Sequence, residues 1–328
     1  MELTLCLIVK NEELKLSTCL SSFQGLFQKL VIVDTGSTDH TKKIAKQFGA
    51  QIYDFSWQAD FSSARNFALS KVQTPLVMMV DADDQIELSS LQKIKQALQS
   101  LPDHVNGIFL PYLYSAVQQG QGIMAYLPRI WRTSKQYKYT LPVHEYLDIS
   151  RKDLDNFLRL PFPIIHHKDP NNLSQSYSRN LDILKQAYLQ DPSQRRIVFY
   201  LGHDHQYAGN YQEAIKWYKT YTDLGNTQQD ELHKAYLGQG ICYIQLGEIS
   251  EAKKALKKAI KANPNFIDPY LHLGEMAIQE HHYEQAVQIY FKTLHFQPPL
   301  THVFVNTHLY NGFAQKKLTQ ALQALEKN

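Results

Sequence analysis

The chain changes its hydrophobic period once, near residue 170, and that change divides the folds open to it. Before it, LTLCLIV (3–9), KLVIVD (29–34), AQIYDF (50–55) and PLVMMVDAD (75–83) read as strands. Helix-like stretches at about 12–23, 39–48 and 61–72 lie between them, and a longer one follows near 88–100. Three of the runs are continuously apolar, as strands covered on both faces are. Strand–helix–strand alternation at this spacing predicts an α/β layer with a mostly parallel sheet. Ser37 or Thr38 is placed to cap the second helix. The segment 105–168 is less regular, with GIFLPYLYS, MAYLPRIWR, YTLPVHEYLDI and FPIIHH as further strands.

Beyond about residue 176 the strand signals vanish and the sequence repeats. YLGHDHQYAGNYQEAIKWY, LGQGICYIQLGEISEAKKAL and LHLGEMAIQEHHYEQAVQIY align with Gly202, Gly240 and Gly274 in register. Tyr211, Ile249 and Tyr283 align with them, as do Ala214, Ala252 and Ala286. Small residues where paired helices touch, at a period near 34 residues, resemble the tetratricopeptide repeat. Pro264 and Pro298 close the second and third units, and helices at 176–189 and about 303–326 are available as the end caps such a stack requires. The expected organisation is an α/β domain over 1–172 and an all-α repeat domain over 173–328.

Composition removes several alternatives. With 44% hydrophobic and 12% aromatic residues in 328, the chain has material for two cores and is not a disordered one. The balance of 34 basic and 31 acidic residues argues against a broad electrostatic footprint for nucleic acid. Cys6, Cys19 and Cys242 are too few and too scattered for a disulfide framework or a CxxC metal site, and a reducing compartment is expected. The run at 3–9 is short for a signal sequence, and Lys10-Asn11-Glu12-Glu13 follows it at once. No stretch approaches the ~18 apolar residues of a membrane span, so a cytoplasmic location is expected.

The chemistry-bearing residues cluster at strand ends. Asp81-Ala82-Asp83, with Asp84 next, follows the apolar VMMV. Two carboxylates at the carboxyl end of a buried parallel strand stand where α/β sheets place ligands. They suit a hard divalent ion, Mg²⁺ or Mn²⁺, which also bridges phosphate oxygens. Taken alone the triplet is equally a turn, since Asp is common there. Asp34 ends another strand in VIVDTGSTDHT, and IVKNEE follows the first. DFSSARNFAL puts Arg65 near a helix start, where a guanidinium reaches a phosphate or forms a surface ion pair.

In combination, VKNEE, VDTGSTD, DFSSARN and DAD in this order resemble the family 2 glycosyltransferases with the GT-A fold, over about residues 3–168. The likeness is to a branch in which tetratricopeptide-like C-terminal halves recur. It includes bacterial enzymes of the glycocin type, which glycosylate cysteine or serine of ribosomally made peptides. The resemblance implies a Rossmann-like sheet, a nucleotide-sugar donor such as a UDP-hexose or UDP-N-acetylhexosamine, and Mn²⁺ or Mg²⁺. Val9, Lys10 and Asn11 would line the nucleoside pocket, Asp34 would sit near uridine and Arg65 near the pyrophosphate or base. Asp81, with Ala82 beside it, would face the ribose or the metal, and Asp83 would be the direct metal ligand. Thr35 stands where many members carry a second Asp.

Two later segments extend the likeness. YLPRIWR followed by LPVHEYL resembles the family's RxxR…HE segment, which makes Glu145 the candidate base with His144 beside it. Arg129 and Arg132 would stabilise the diphosphate or serve as surface charges, and Arg132 is assigned to the donor. FPIIHHKD resembles the family's late histidine: His166 or His167 would complete the metal sphere, with His167 preferred. The mechanism implied is a single inverting displacement. Cys6 and Cys19 occupy apolar positions and read as core.

The repeats would hold a polypeptide acceptor or join two chains as a homodimer. A cell-surface glycan or lipid-linked sugar is the alternative acceptor. A non-catalytic adaptor is a third reading, opposed by the retention of Asp34, Asp81, Asp83 and Glu145.

Overall fold

The computed structural model describes residues 2–114, 122–167, 173–225 and 228–327. Contacts divide the chain into one unit of residues 1–118 and 124–170 and another of 119–123 and 171–328.

The first unit is built on strands β1 (Leu3–Val9), β2 (Lys29–Asp34), β3 (Gln51–Asp54), β4 (Leu76–Met79), β5 (Asp84–Ile86), β6 (Gly107–Tyr114), β7 (Ile123–Arg132), β8 (Lys138–Thr140), β9 (Tyr146–Asp148), β10 (Phe157–Arg159) and β11 (Ile164–His166). Helices α1 (Leu16–Ser22), α2 (Thr41–Gln47), α3 (Phe61–Leu69), α4 (Leu88–Gln99) and α5 (Arg151–Leu154) connect them. The main sheet runs β3-β2-β1-β4-β7-β6-β11-β5, with β10 also on β6. From β3 to β4 every pair is parallel. β7 joins β4 antiparallel, and β5 joins β11 antiparallel. β1 and β4 are buried along almost their whole length, as continuously apolar strands must be when helices cover both faces.

Two local expectations change. The run YTLPVHEYLDI is two short strands, β8 and β9, paired antiparallel around a turn. Pro142 lacks the N–H a continuous strand needs, and Leu141 and His144 take φ of 71° and 53°. Glu145 therefore stands at the foot of a hairpin turn rather than within a strand. Neither Ser37 nor Thr38 caps α2; Asp39 Oδ1 accepts from Thr41 N instead, at 2.9 Å. Ser37 and Thr38 face the loop after β1: Asn11 N donates to Ser37 Oγ at 2.9 Å, and Thr38 N donates to Asn11 Oδ1 at 2.8 Å.

The second unit is helical among its described residues apart from a short C-terminal strand and turn. Its helices are α6 (Leu173–Gln190), α7 (Arg195–Tyr207), α8 (Tyr211–Asp223), α9 (Gln229–Gln245), α10 (Ile249–Ala262), α11 (Asp268–Gln279), α12 (Tyr283–Thr293) and α13 (Phe313–Glu326). α7/α8, α9/α10 and α11/α12 are the three repeats, with α6 packed on α7 and α13 on α12. The glycine register has a steric cause. A Cβ on Gly202 would come within 2.7 Å of the Tyr218 ring, on Gly240 within 2.8 Å of Leu256, and on Gly274 within 2.5 Å of Tyr290. Each first helix lacks a side chain where the second presses a large one against it. Gly202→Ala is expected to destabilise this unit by about 1–3 kcal/mol through overpacking. Alanine in an open helix would instead gain ~1 kcal/mol. Urea denaturation of the two proteins decides the sign, and a stabilised variant would refute the packing account.

Candidate functional site

The carboxyl ends of β1, β2 and β4 lie side by side, and the loops leaving them carry the three acidic motifs. The loop after β1 and the loop after β2 form one structure. Besides the Asn11 bonds, Glu12 N donates to Thr41 Oγ1 at 2.7 Å and Glu13 N to Asp39 Oδ2 at 3.1 Å. Asn11 takes φ 55°, a conformation asparagine tolerates better than most residues. Val9 is buried, and its carbonyl accepts both the N–H and the hydroxyl of Thr35, at 2.9 and 3.1 Å. Thr35 is thus turned toward β1. Lys10 is exposed.

Asp34 is 1% exposed. Its Oδ1 accepts from Gly36 N and Ser37 N at 3.0 and 2.8 Å, whereas Oδ2 is buried without a partner. An unsatisfied buried acceptor costs about 1–3 kcal/mol, so it marks a position built for an N–H or O–H donor.

At the end of β4 the four residues after Val80 divide their work. Asp81 N donates to Asp84 Oδ2 at 2.8 Å, and Asp84 N donates to Asp81 O at 3.0 Å. Asp84 is the turn former, fully buried, and that leaves the carboxylates of Asp81 and Asp83 to other groups. Ala82, also buried, separates them. Asp60 caps α3 by accepting from Ser63 N at 3.0 Å, which starts the helix so that Arg65 enters the site. Arg65 Nη2 donates to Asp81 Oδ1 and Nε to Glu145 Oε1, both at 2.7 Å. Its Nη1 is buried without a partner. One guanidinium therefore joins the D-x-D turn to the hairpin that carries Glu145.

A second buried cation stands behind the acids. Arg129 lies 3.9 Å from the Tyr112 ring centre and donates to Met79 O at 3.2 Å. The Tyr112 hydroxyl is 2.8 Å from Asp84 Oδ1, 3.2 Å from Asp81 Oδ2 and 2.7 Å from His166 Nδ1. His166 Nδ1 is also 2.9 Å from Asp84 Oδ1 and 3.2 Å from Asp83 Oδ1. Ligating atoms of Asp81, Asp84 and His166 all fall within 4.8 Å of one another.

These neighbours set the charges. Burial alone would raise the Asp81 carboxyl, but Arg65 first, then Arg129 and His166, hold it well below the usual carboxylate range. Asp84 is raised, chiefly by burial. Burial opposes protonation of His166, yet the carboxylates of Asp83 and Asp84 outweigh it and push its pKa up to about 9. Burial, then the charge of Asp83, pushes Glu12 up to about 7.

The sequence-predicted residues are not all together. Asp81, Asp83, Arg65 and Glu145 share one cluster, while Asp34 ends β2 and Asn11 stands on the loop after β1. Arg132, expected at the donor, pairs with Leu76 at the opposite end of β4. It donates to Val105 O at 2.8 Å and Pro102 O at 3.0 Å, with Asp103 Oδ1 at 3.7 Å, at the opposite end of the strands from the acids. Arg129 is the arginine of that segment that faces the acids. The ring of His166 meets Asp83 and Asp84; His167, the preferred histidine, reaches Asp83 through its backbone N–H, 2.9 Å from Asp83 O. Sequence reasoning singled out neither Tyr112, Lys15 nor Glu12. Only Glu12 left a signal, as the acid beside Asn11 in VKNEE.

The donor set of carboxylates and imidazole suits a hard divalent cation.

Residues 4–151 match the model of glycosyl transferase family 2, and residues 233–266 match the tetratricopeptide repeat. A TPR repeat-containing protein of Synechococcus elongatus is 30% identical over 172 residues, 51% of this chain and 42% of that one. The prophage-derived glycosyltransferase SunS of Bacillus subtilis is 23% identical over 243 residues, 70% of this chain and 56% of that one. The chain thus spans about half the length of these relatives. A crystal structure of S. aureus TarS with UDP-GlcNAc superposes with a TM-score of 0.45 at 14% identity, covering 81% of this chain and 93% of that one, too loosely to argue from. Among the described residues no helix is long and apolar enough to cross a membrane. The N-terminal half thus carries a match to glycosyl transferase family 2 over residues 4–151, and a tetratricopeptide match follows it at 233–266.

Proposed function

We propose that the chain transfers a sugar, with inversion, from a nucleoside diphosphate sugar to a serine, threonine or cysteine of a polypeptide. The observation that carries this reading is the single cluster in which Arg65 joins Asp81 to Glu145 beside Asp83, in a family 2 domain. Residues 1–172 are the catalytic part and 173–328 the part that holds the acceptor. SunS, a glycosyltransferase by name, aligns along most of this chain, which supports keeping the two parts together in one activity.

In this reading the orphaned Asp34 Oδ2 accepts an N–H of the nucleobase, and Arg65 Nη1 donates to the diphosphate. Asn11 shapes the nucleoside loop. Asp83 and His166, once His166 has given up its proton, would hold a divalent cation, Mn²⁺ or Mg²⁺, with Asp81 adjacent; such an ion would neutralise charge on the departing diphosphate. Glu145 accepts the acceptor's proton as its oxygen or sulfur attacks the anomeric carbon. Arg65 keeps Glu145 oriented.

The test is donor turnover. The purified chain is incubated with UDP- and GDP-sugars in Mn²⁺ or Mg²⁺ and then with EDTA, and released nucleotide is measured. Release from one donor that EDTA abolishes is expected. No release from any donor, together with no binding of UDP or GDP, would overturn the reading in favour of an adaptor.

A further inference from the structure

Among the described residues, Asp83 is the member of the acid cluster whose carboxylate meets a part-exposed lysine. Lys15, the residue before α1, extends its ammonium to 3.2 Å from Asp83 Oδ2 and donates to His167 O at 3.4 Å. Its backbone is fixed: Lys15 N donates to Glu12 O at 3.1 Å, its carbonyl accepts from Cys19 N at 3.0 Å, and Leu16 beside it is buried. The ammonium is therefore aimed by the start of α1, not found near Asp83 by chance.

The two kinds of cation at this site differ in how readily they leave. The Arg65 side chain is 10% exposed and holds two carboxylates, whereas that of Lys15 is 36% exposed and holds one. A part-exposed lysine pair contributes little and breaks easily, while removing one partner of a buried pair strands a charge. A divalent ion on Asp83 cannot share the carboxylate with an ammonium at this distance without repulsion between like charges. Lys15 is the group that must yield, and its long stem lets it do so without moving α1.

We infer that Lys15 is a displaceable counter-ion on Asp83, which a divalent cation replaces and which then pairs with the diphosphate of the donor. This rests on the donor-site reading and deepens it. Lys15 is then a donor-contacting residue that couples metal to nucleotide. In the metal-free protein it shares Asp83 with His166, Lys15 on Oδ2 and His166 on Oδ1. In the loaded one its charge has a new partner within reach, so the diphosphate favours metal binding beyond any direct bond between them.

The test uses Mn²⁺ alone and Mn²⁺ with UDP, on the full chain, with free Mn²⁺ read by electron paramagnetic resonance. Lys15→Met is expected to bind Mn²⁺ about three- to tenfold tighter than the wild type, the scale on which loss of a weak ion pair and of a like charge registers. UDP should tighten Mn²⁺ binding less in Lys15→Met than in the wild type, and Lys15→Arg, which keeps the charge, should behave as the wild type. Lys15→Gln repeats the comparison with a polar side chain. Equal or weaker Mn²⁺ binding in both neutral variants overturns the inference alone, as does an undiminished effect of UDP. If no protein binds Mn²⁺ with or without UDP, the donor-site reading falls and the inference with it.

Discussion

Glu145→Gln is expected to slow metal-dependent release of nucleotide by about 10²–10⁴-fold, the usual worth of a positioned general base. The substitution isolates that role, because the glutamine carbonyl can still accept the bond that Arg65 Nε makes to Glu145 Oε1 at 2.7 Å. Binding of UDP should be unchanged. The nature of the acceptor modulates the result. A thiol is already partly ionised near neutral pH, so transfer to a cysteine should suffer far less than transfer to a serine in the same peptide. Equal, undiminished rates with a serine acceptor would remove Glu145 from the mechanism.

Arg65→Met should cost the first unit about 3–5 kcal/mol of stability, measured by chemical denaturation. The guanidinium is buried and serves Asp81 and Glu145 at once, so its loss leaves two carboxylates without their cation. Arg65→Lys should recover only part, since one ammonium cannot reproduce a fork reaching two acids on different elements. Adding Asp81→Asn to Arg65→Met should restore some of the loss, because one of the stranded charges is then gone. If the double variant is no more stable than the single one, the ion pair is not what the arginine contributes.

Much of the first sheet was legible because its strands are buried on both faces and read as unbroken apolar runs. The repeats were legible for a steric reason: glycine recurs where Tyr218, Leu256 and Tyr290 leave no space for a Cβ. The hairpin that carries Glu145 was not. Its alternation runs on through 138–149; Pro142 was the signal that it breaks, and the backbone at Leu141 and His144 shows the reversal. Arg129 and Arg132 look alike in YLPRIWR, yet one faces the acids and the other turns to the backbone at the opposite end of the strands.

By itself the sequence determined which acids exist and that they follow strands, since both are matters of residue type and local period. Tertiary structure decided which of them remain available. One oxygen of Asp84 is taken by its turn while the other faces Tyr112 and His166, and Asp34 keeps one oxygen unpaired. His166 rather than its neighbour presents its ring to Asp83 because β11 lies between β5 and β6. Lys15 reaches Asp83 across a separation of 68 residues. Such pairings depend on the order of strands in the sheet, and no period along a single chain encodes which distant residue will stand opposite.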